Sequence, residues 1–164
     1  MLLPWRRSRK AGPAASLAAL CLGAALCASA GVLAAQASPS DATGLVVNNP
    51  WFRAITPSRP EAGYFDLANQ TSHKRELVEA LSPACGTLML HETVSLNGID
   101  RMVMVRSLIV PAHGDIHFAP GGYHLMCVSP SPDATPGKSV PVTLRFKDGA
   151  TLTTNFPVRG ATGK

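Results

Sequence analysis

The stretch from Met89 to Met126, MLHETVSLNGIDRMVMVRSLIVPAHGDIHFAPGGYHLM, decides how the rest of the chain is read. At its centre Asn97-Gly98 lies between short apolar runs, and both residues tolerate the positive φ that a type I′ hairpin turn demands. A two-residue turn there sets Thr93 opposite Met102 and His91 opposite Met104. Facing residues, and those two positions along, share one side of a sheet, so His91, Thr93, Met102 and Met104 project the same way. His91 and Met102 become a diagonal pair. Further on, Ala119-Pro120-Gly121-Gly122 is a sharp turn, and Tyr123 to Val128 is the strand after it. Alternation places His124 and Met126 on one face of that strand and Tyr123, Leu125 and Cys127 on the other.

Outward from this centre the chain reads as strands throughout. Leu45 to Ile55 is a strand interrupted by Pro50, which argues for an edge or a bulge. Thr56 to Ala62 is a loop, Gly63 to Asn69 a strand, and Gln70 to Lys74 a turn. Arg75 to Leu81 has the composition of either a short helix or a strand, and its neighbours favour strand. Ser107 to Val110 and Asp115 to Phe118 are two short strands, and Ser129 to Lys138 is a surface loop. Val140 to Phe146 and Thr151 to Val158 pair through Asp148-Gly149. Short strands at regular spacing, cut by Pro and Gly turns, argue for an all-β, Greek-key antiparallel sandwich. The chain has 164 residues, enough for one domain with a real core, and shows neither an internal repeat nor a heptad.

The first 37 residues differ in character from the remainder of the chain. Arg6, Arg7, Arg9 and Lys10 precede an Ala/Leu-rich run from Ala14 to Ala35 with no acidic residue, and Ala35-Gln36-Ala37 supplies a small-x-small cleavage site. Residues 1–37 are therefore expected to be a secretory signal, with Ala28-Ser29-Ala30 as a second possible site. Cys21 and Cys27 follow Leu20 and Leu26 instead of a small residue, so no lipid anchor is expected at either. The mature domain is expected over 38–164, with 38–44 as a mobile tail. Of the 15 basic residues four leave with the leader, and the remaining 11 stand against 10 acidic ones. They are scattered along the sequence, which argues against nucleic-acid binding and against membrane association after cleavage. Export implies the periplasm. It also permits a disulfide between Cys85 and Cys127, with two buried thiols as the alternative.

Two imidazoles and two thioethers form a soft, neutral ligand set that suits Cu(I) and discriminates against magnesium, calcium and manganese. His91, Met102, His124 and Met126 fall in the order His, ten residues, Met, twenty-one residues, His-x-Met. With five His and five Met in the chain, finding three such residues at fixed offsets from a histidine by chance has a probability of about 10⁻⁴. Thioether sulfur cannot close into a disulfide in an oxidising compartment as a thiolate does, although sulfoxide formation remains a hazard. Four neutral ligands leave the charge of the ion uncompensated, which favours +1 over +2.

The same four residues resemble the pattern of the periplasmic copper(I) chaperones of the PCu(A)C type, and they fit it without an insertion. The resemblance extends through PWFRA at Pro50 to Ala54, LHETV at Leu90 to Val94 and PGGYHLM at Pro120 to Met126, and covers essentially the whole mature chain. It implies a cupredoxin-like β-sandwich that binds one Cu(I) near its surface. It further implies delivery to the binuclear copper centre of cytochrome c oxidase, in subunit II, often alongside a thiol-bearing assembly factor. Some relatives carry a His- and Met-rich tail; this chain ends in FPVRGATGK without either residue, so no second copper site of that kind is expected.

Other classes fit less well. A blue copper electron carrier needs a Cys ligand, and Cys127 lies on the face opposite His124 and Met126. A redox enzyme would want a dense His cluster or a reactive Cys-x-x-Cys, and neither is present. An exported module without metal would use the four residues as core. Met104 is expected in the core or close behind the ligands, and Met89 in the core. His113 and His117 are read as exposed loop residues, with an accessory Cu(II) site beside His124 as the alternative. Trp51 and Tyr123 are expected to pack within the sandwich.

Overall fold

The structure, a computed structural model, describes residues 42–56 and 59–163. The leader expected over 1–37 lies outside the described residues. Ten strands follow one another: β1 (Leu45–Arg53), β2 (Glu61–Asn69), β3 (Arg75–Leu81), β4 (Cys85–Leu96), β5 (Ile99–Met104), β6 (Leu108–Val110), β7 (Asp115–Phe118), β8 (Tyr123–Pro130), β9 (Ser139–Phe146) and β10 (Thr151–Arg159). There is no helix among the described residues.

The strands hydrogen-bond in the order β5-β4-β8-β7-β2-β1-β10-β9-β3-β6, so most spatial neighbours are distant in sequence, as Greek-key crossing requires. The sheet is mixed. Antiparallel pairing dominates, but β1 runs parallel to β10 through Phe52↔Val158 and Arg53↔Arg159, and β7 meets β8 in parallel at Phe118↔Tyr123. β1 and β10, at opposite ends of the described chain, pair in parallel, which a hairpin could not achieve. Pairing the first strand with the last is what links β5-β4-β8-β7-β2-β1 to β10-β9-β3-β6.

Local chemistry explains the irregular points. Pro50 cannot donate to a ladder, and the β1–β2 register shifts between Asn48 and Trp51, with Asn49 at φ 50. The first half of β1 pairs on one side only, so Pro50 sits at both a bulge and a local edge. Arg75–Leu81 is a strand, clamped between β9 and β6. Ala42 to Gly44 do not form the expected mobile tail. Ala42 is buried, Leu45 N–H donates to its carbonyl, and Gln70 N–H donates to the Gly44 carbonyl.

The core is aromatic at its centre. Phe65 stacks on Phe118 at 4.1 Å, and Phe156 stands 5.5 Å from both Phe65 and Phe52. Leu67, Leu77, Leu125 and Leu144 fill the remaining space. Removing a side chain of this size from water contributes about 2 to 3 kcal/mol each. Cys85 and Cys127 are joined as a disulfide across 42 residues, with Cα atoms 5.4 Å apart. It ties the start of β4 to β8, the two strands that carry the histidines.

Candidate metal centre

The Asn97-Gly98 turn folds as its sequence dictates, with φ of 53 and 76. The hairpin register sets His91 opposite Met104 and Thr93 opposite Met102. On its other side β4 pairs with β8, which places His91 opposite His124 and Met89 opposite Met126. Met89, His91, Thr93, Met102, Met104, His124 and Met126 thus share one face, the face away from Leu88, Leu90, Leu125 and Cys127. Ala62 is paired with Met126, and Trp51 with Tyr64, so β2 and β1 continue this face.

The two imidazoles stand at 5.9 Å between ring centroids, inclined at 71°. His124 is buried, and its Nδ1–H donates to the Gly122 carbonyl at 3.0 Å. That bond fixes the tautomer and leaves Nε2 with a free lone pair, the arrangement common for metal-bound histidine. The Gly122 carbonyl also accepts Thr93 N–H at 3.0 Å, which fastens the loop before β8 to β4. His91 has a buried Nδ1 with no hydrogen-bond partner. Burial, and second the neighbouring His124, hold its pKa below the usual imidazole value, so the ring is neutral near pH 7 and ready to accept. A buried ring nitrogen without a partner costs free energy, and in the tautomer that leaves Nδ1 unprotonated it would be open to a soft cation.

Met102, His124 and Met126 line a common cleft of about 330 Å³, together with Thr93, Pro120 and Gly121. His91 is not on the cleft wall; it stands against the His124 ring. Met102 is 65 % exposed and Met126 half-buried. β5 is the terminal strand, and all six of its residues are exposed. Two thioethers left in water on an edge strand are poor core and accessible ligands. Among the described residues no group of three or more His, Cys, Asp and Glu is placed to hold a metal. A metal held on this face would need the thioethers as well as the imidazoles, and such a donor set would fit a soft monovalent ion.

Several expectations are corrected. Met104 is 62 % exposed, since an edge strand has no second layer above it on this face. Met89 is half-buried beside Met126 and outside the core. Trp51 packs on this outer face, 4.9 Å from Tyr64, whereas Tyr123 packs against the core. His117 has both ring nitrogens engaged, Nδ1 with Asp66 at 2.7 Å and Nε2 with Asp115 at 2.6 Å. His113 caps the turn before β7 at φ 51 and is exposed. Both are exposed, as expected, although His117 lies on β7 and not in a loop, and neither joins His124 in a cluster.

The cleft also holds residues that the sequence did not single out: Arg53, Arg59, Glu61 and Tyr64. Arg53 stood in the PWFRA segment. Nothing in the sequence marks Glu61, which is 3 % exposed with an unpartnered Oε2.

Residues 45–158 match the model of the family described as "Putative lipoprotein LpqE-like". The chain belongs to the LpqE-like family. Within that setting it is 36 % identical over 151 residues to a protein of Leifsonia xyli subsp. xyli named "Putative lipoprotein Lxx21020", covering 92 % of this chain and 90 % of that one. Among solved structures, the Cu(I) form of DR1885 from Deinococcus radiodurans is 32 % identical with a TM-score of 0.53, covering 76 % of this chain and 81 % of its own. The copper-bound PCuAC domain of PmoF2 superposes with a TM-score of 0.60 over 76 % of this chain and 99 % of its own; at 18 % identity it speaks to the fold alone. The resemblance to the PCu(A)C type and the cupredoxin-like β architecture drawn from the LpqE-like sequence both hold.

Proposed function

We propose that this domain is an exported copper carrier in which His91, Met102, His124 and Met126 bind one Cu(I). The observation that carries the reading is the pair of facing histidines, one with an orphaned buried Nδ1 and the other with Nε2 left free, on the face that bears the exposed methionines. The metal is cargo. A soft, neutral donor set at a sheet edge holds Cu(I) without competing thiolates, and an incoming ligand can replace Met102 first because it is the most exposed. The handoff is ligand exchange with no net redox change, so no catalytic residue is required and the protein is not an enzyme.

Delivery to the binuclear copper centre of cytochrome c oxidase, through subunit II directly or a thiol-bearing assembly factor, is the acceptor that the family resemblance favours. Relatives named as lipoproteins support export. The leader of this chain argues for cleavage into the periplasm, since neither Cys21 nor Cys27 follows a small residue. The electron-transfer alternative loses its ligand, because the sulfur of Cys127 is bonded to Cys85 and lies on the opposite face.

Competition against a Cu(I) chelator under anaerobic conditions tests the proposal. One equivalent should bind, and His124→Ala or Met126→Leu should each weaken affinity by at least about tenfold, a loss of about 1.4 kcal/mol or more. Unchanged affinity in both variants, with the fold intact by circular dichroism, would reject the assignment.

A further inference from the structure

The cleft that Met102, His124 and Met126 line also carries Arg53 and Arg59. Arg53 is the Cα partner of Arg159 in the parallel β1–β10 pair, so two cations lie side by side where like charges destabilise a sheet. Both are held by aromatic faces. The Arg159 guanidinium is 5.3 Å from the Trp51 ring, Trp51 is 4.9 Å from Tyr64, and the Arg53 guanidinium is 5.6 Å from Tyr64. Arg75, Arg145, Lys138 and Lys147 all have carboxylate partners; among the described residues Arg53, Arg59 and Arg159 have none, and neither do Lys74, Arg101 and Arg106, but none of those last three lines the cleft or stacks on an aromatic ring. Arg53 Nε is buried without an acceptor.

The acids nearby do not neutralise this group. Asp66, on the same face beyond Tyr64, is engaged by Asn49 at 2.9 Å and by His117. Glu61 lines the cleft, but its carboxyl is buried and desolvation alone pushes its pKa up to about 7. Three uncompensated guanidiniums, two of them pre-oriented by stacking, are a fork-shaped receptor for carboxylates.

We infer that Arg53, Arg59 and Arg159 form a docking rim for acidic side chains of the protein that accepts the copper. The inference rests on the carrier reading for the identity of the partner, though the rim itself does not depend on copper. It also gives the handoff a direction. Cu(I) held by four neutral ligands adds one positive charge to this face, so an acidic acceptor attracts the loaded domain more strongly than the emptied one.

The probe is a pair of synthetic peptides of Gly with four Glu or with four Lys, lacking His, Met and Cys, titrated into the ¹⁵N-labelled mature domain. The Glu peptide should shift the side-chain Nε–H resonances of Arg53, Arg59 and Arg159, and the Lys peptide should leave them in place. Arg59→Gln combined with Arg159→Gln, both at exposed positions, should weaken the Glu peptide about tenfold at low salt, with wild-type affinity falling as salt is raised. Loading with Cu(I) should tighten it several-fold. Equal shifts from both peptides, shifts centred on other cations, or full affinity in the double variant would overturn the rim. A domain that binds the Glu peptide but no Cu(I) would keep the rim and reject the carrier.

Discussion

Replacing Glu61 by Gln should change how the stability of the domain depends on pH. Glu61 is 3 % exposed, its Oε2 has no partner, and burial raises its pKa from 4.5 to about 7. The folded domain therefore holds this proton while the unfolded chain gives it up between about pH 4.5 and pH 7. Stability must fall as pH rises through that window and level off above it, because the unfolded state binds fewer protons there. Each pH unit of the window is worth about 1.36 kcal/mol, which sets an upper limit of about 3 kcal/mol. Glu61→Gln keeps the shape and removes the charge. The variant should match the wild type near pH 4.5, apart from a constant offset, and exceed it progressively up to pH 7.5. Urea unfolding at pH 4.5, 6.0, 7.5 and 8.5 gives the comparison; at a slope of about 1.5 kcal/mol per molar the largest midpoint difference is about 2 M. Parallel curves for the two proteins across the whole range would refute the reasoning, since they would mean that the carboxyl is hydrated or paired.

Two further outcomes concern the disulfide and His117. Reducing the Cys85–Cys127 bridge, or replacing both residues by Ala, should cost about 4 kcal/mol by loop entropy for a separation of 42 residues, read from unfolding curves with and without reductant. The His117 imidazole, bonded to Asp66 and beside the Asp115 carboxylate, should titrate above the ordinary histidine value by NMR, and Asp66→Asn should lower it. Because the folded value is raised, this contribution is fully present below the unfolded pKa and is lost as pH rises through the folded one.

Much of the fold was legible because local chemistry and long-range pairing agree. Asn97-Gly98 admits one hairpin geometry, and the register is set to the residue, with His91 opposite Met104 and Thr93 opposite Met102. The approach of His124 to His91 was not readable in the same way. It depends on β8 crossing to pair with β4, and no turn encodes that crossing; only the resemblance to the PCu(A)C type brought the four residues together in advance. The parallel β1–β10 contact was missed for the same reason, and with it the meeting of Arg53 and Arg159, which the sequence presents as scattered charge. Glu61 was missed for a different one. Its burial arises where β2 begins against Cys127 of β8, a tertiary accident of register that leaves no mark on the residues flanking it.

X-ray absorption at the copper edge, on the protein loaded with one equivalent of Cu(I), tests the ligand assignment most directly. Imidazole nitrogens from His91 and His124 together with thioether sulfurs from Met102 and Met126 are expected in the first coordination sphere, with the sulfur contribution reduced in Met126→Leu. A sphere of oxygen and nitrogen alone, or one unaltered in that variant, would contradict it.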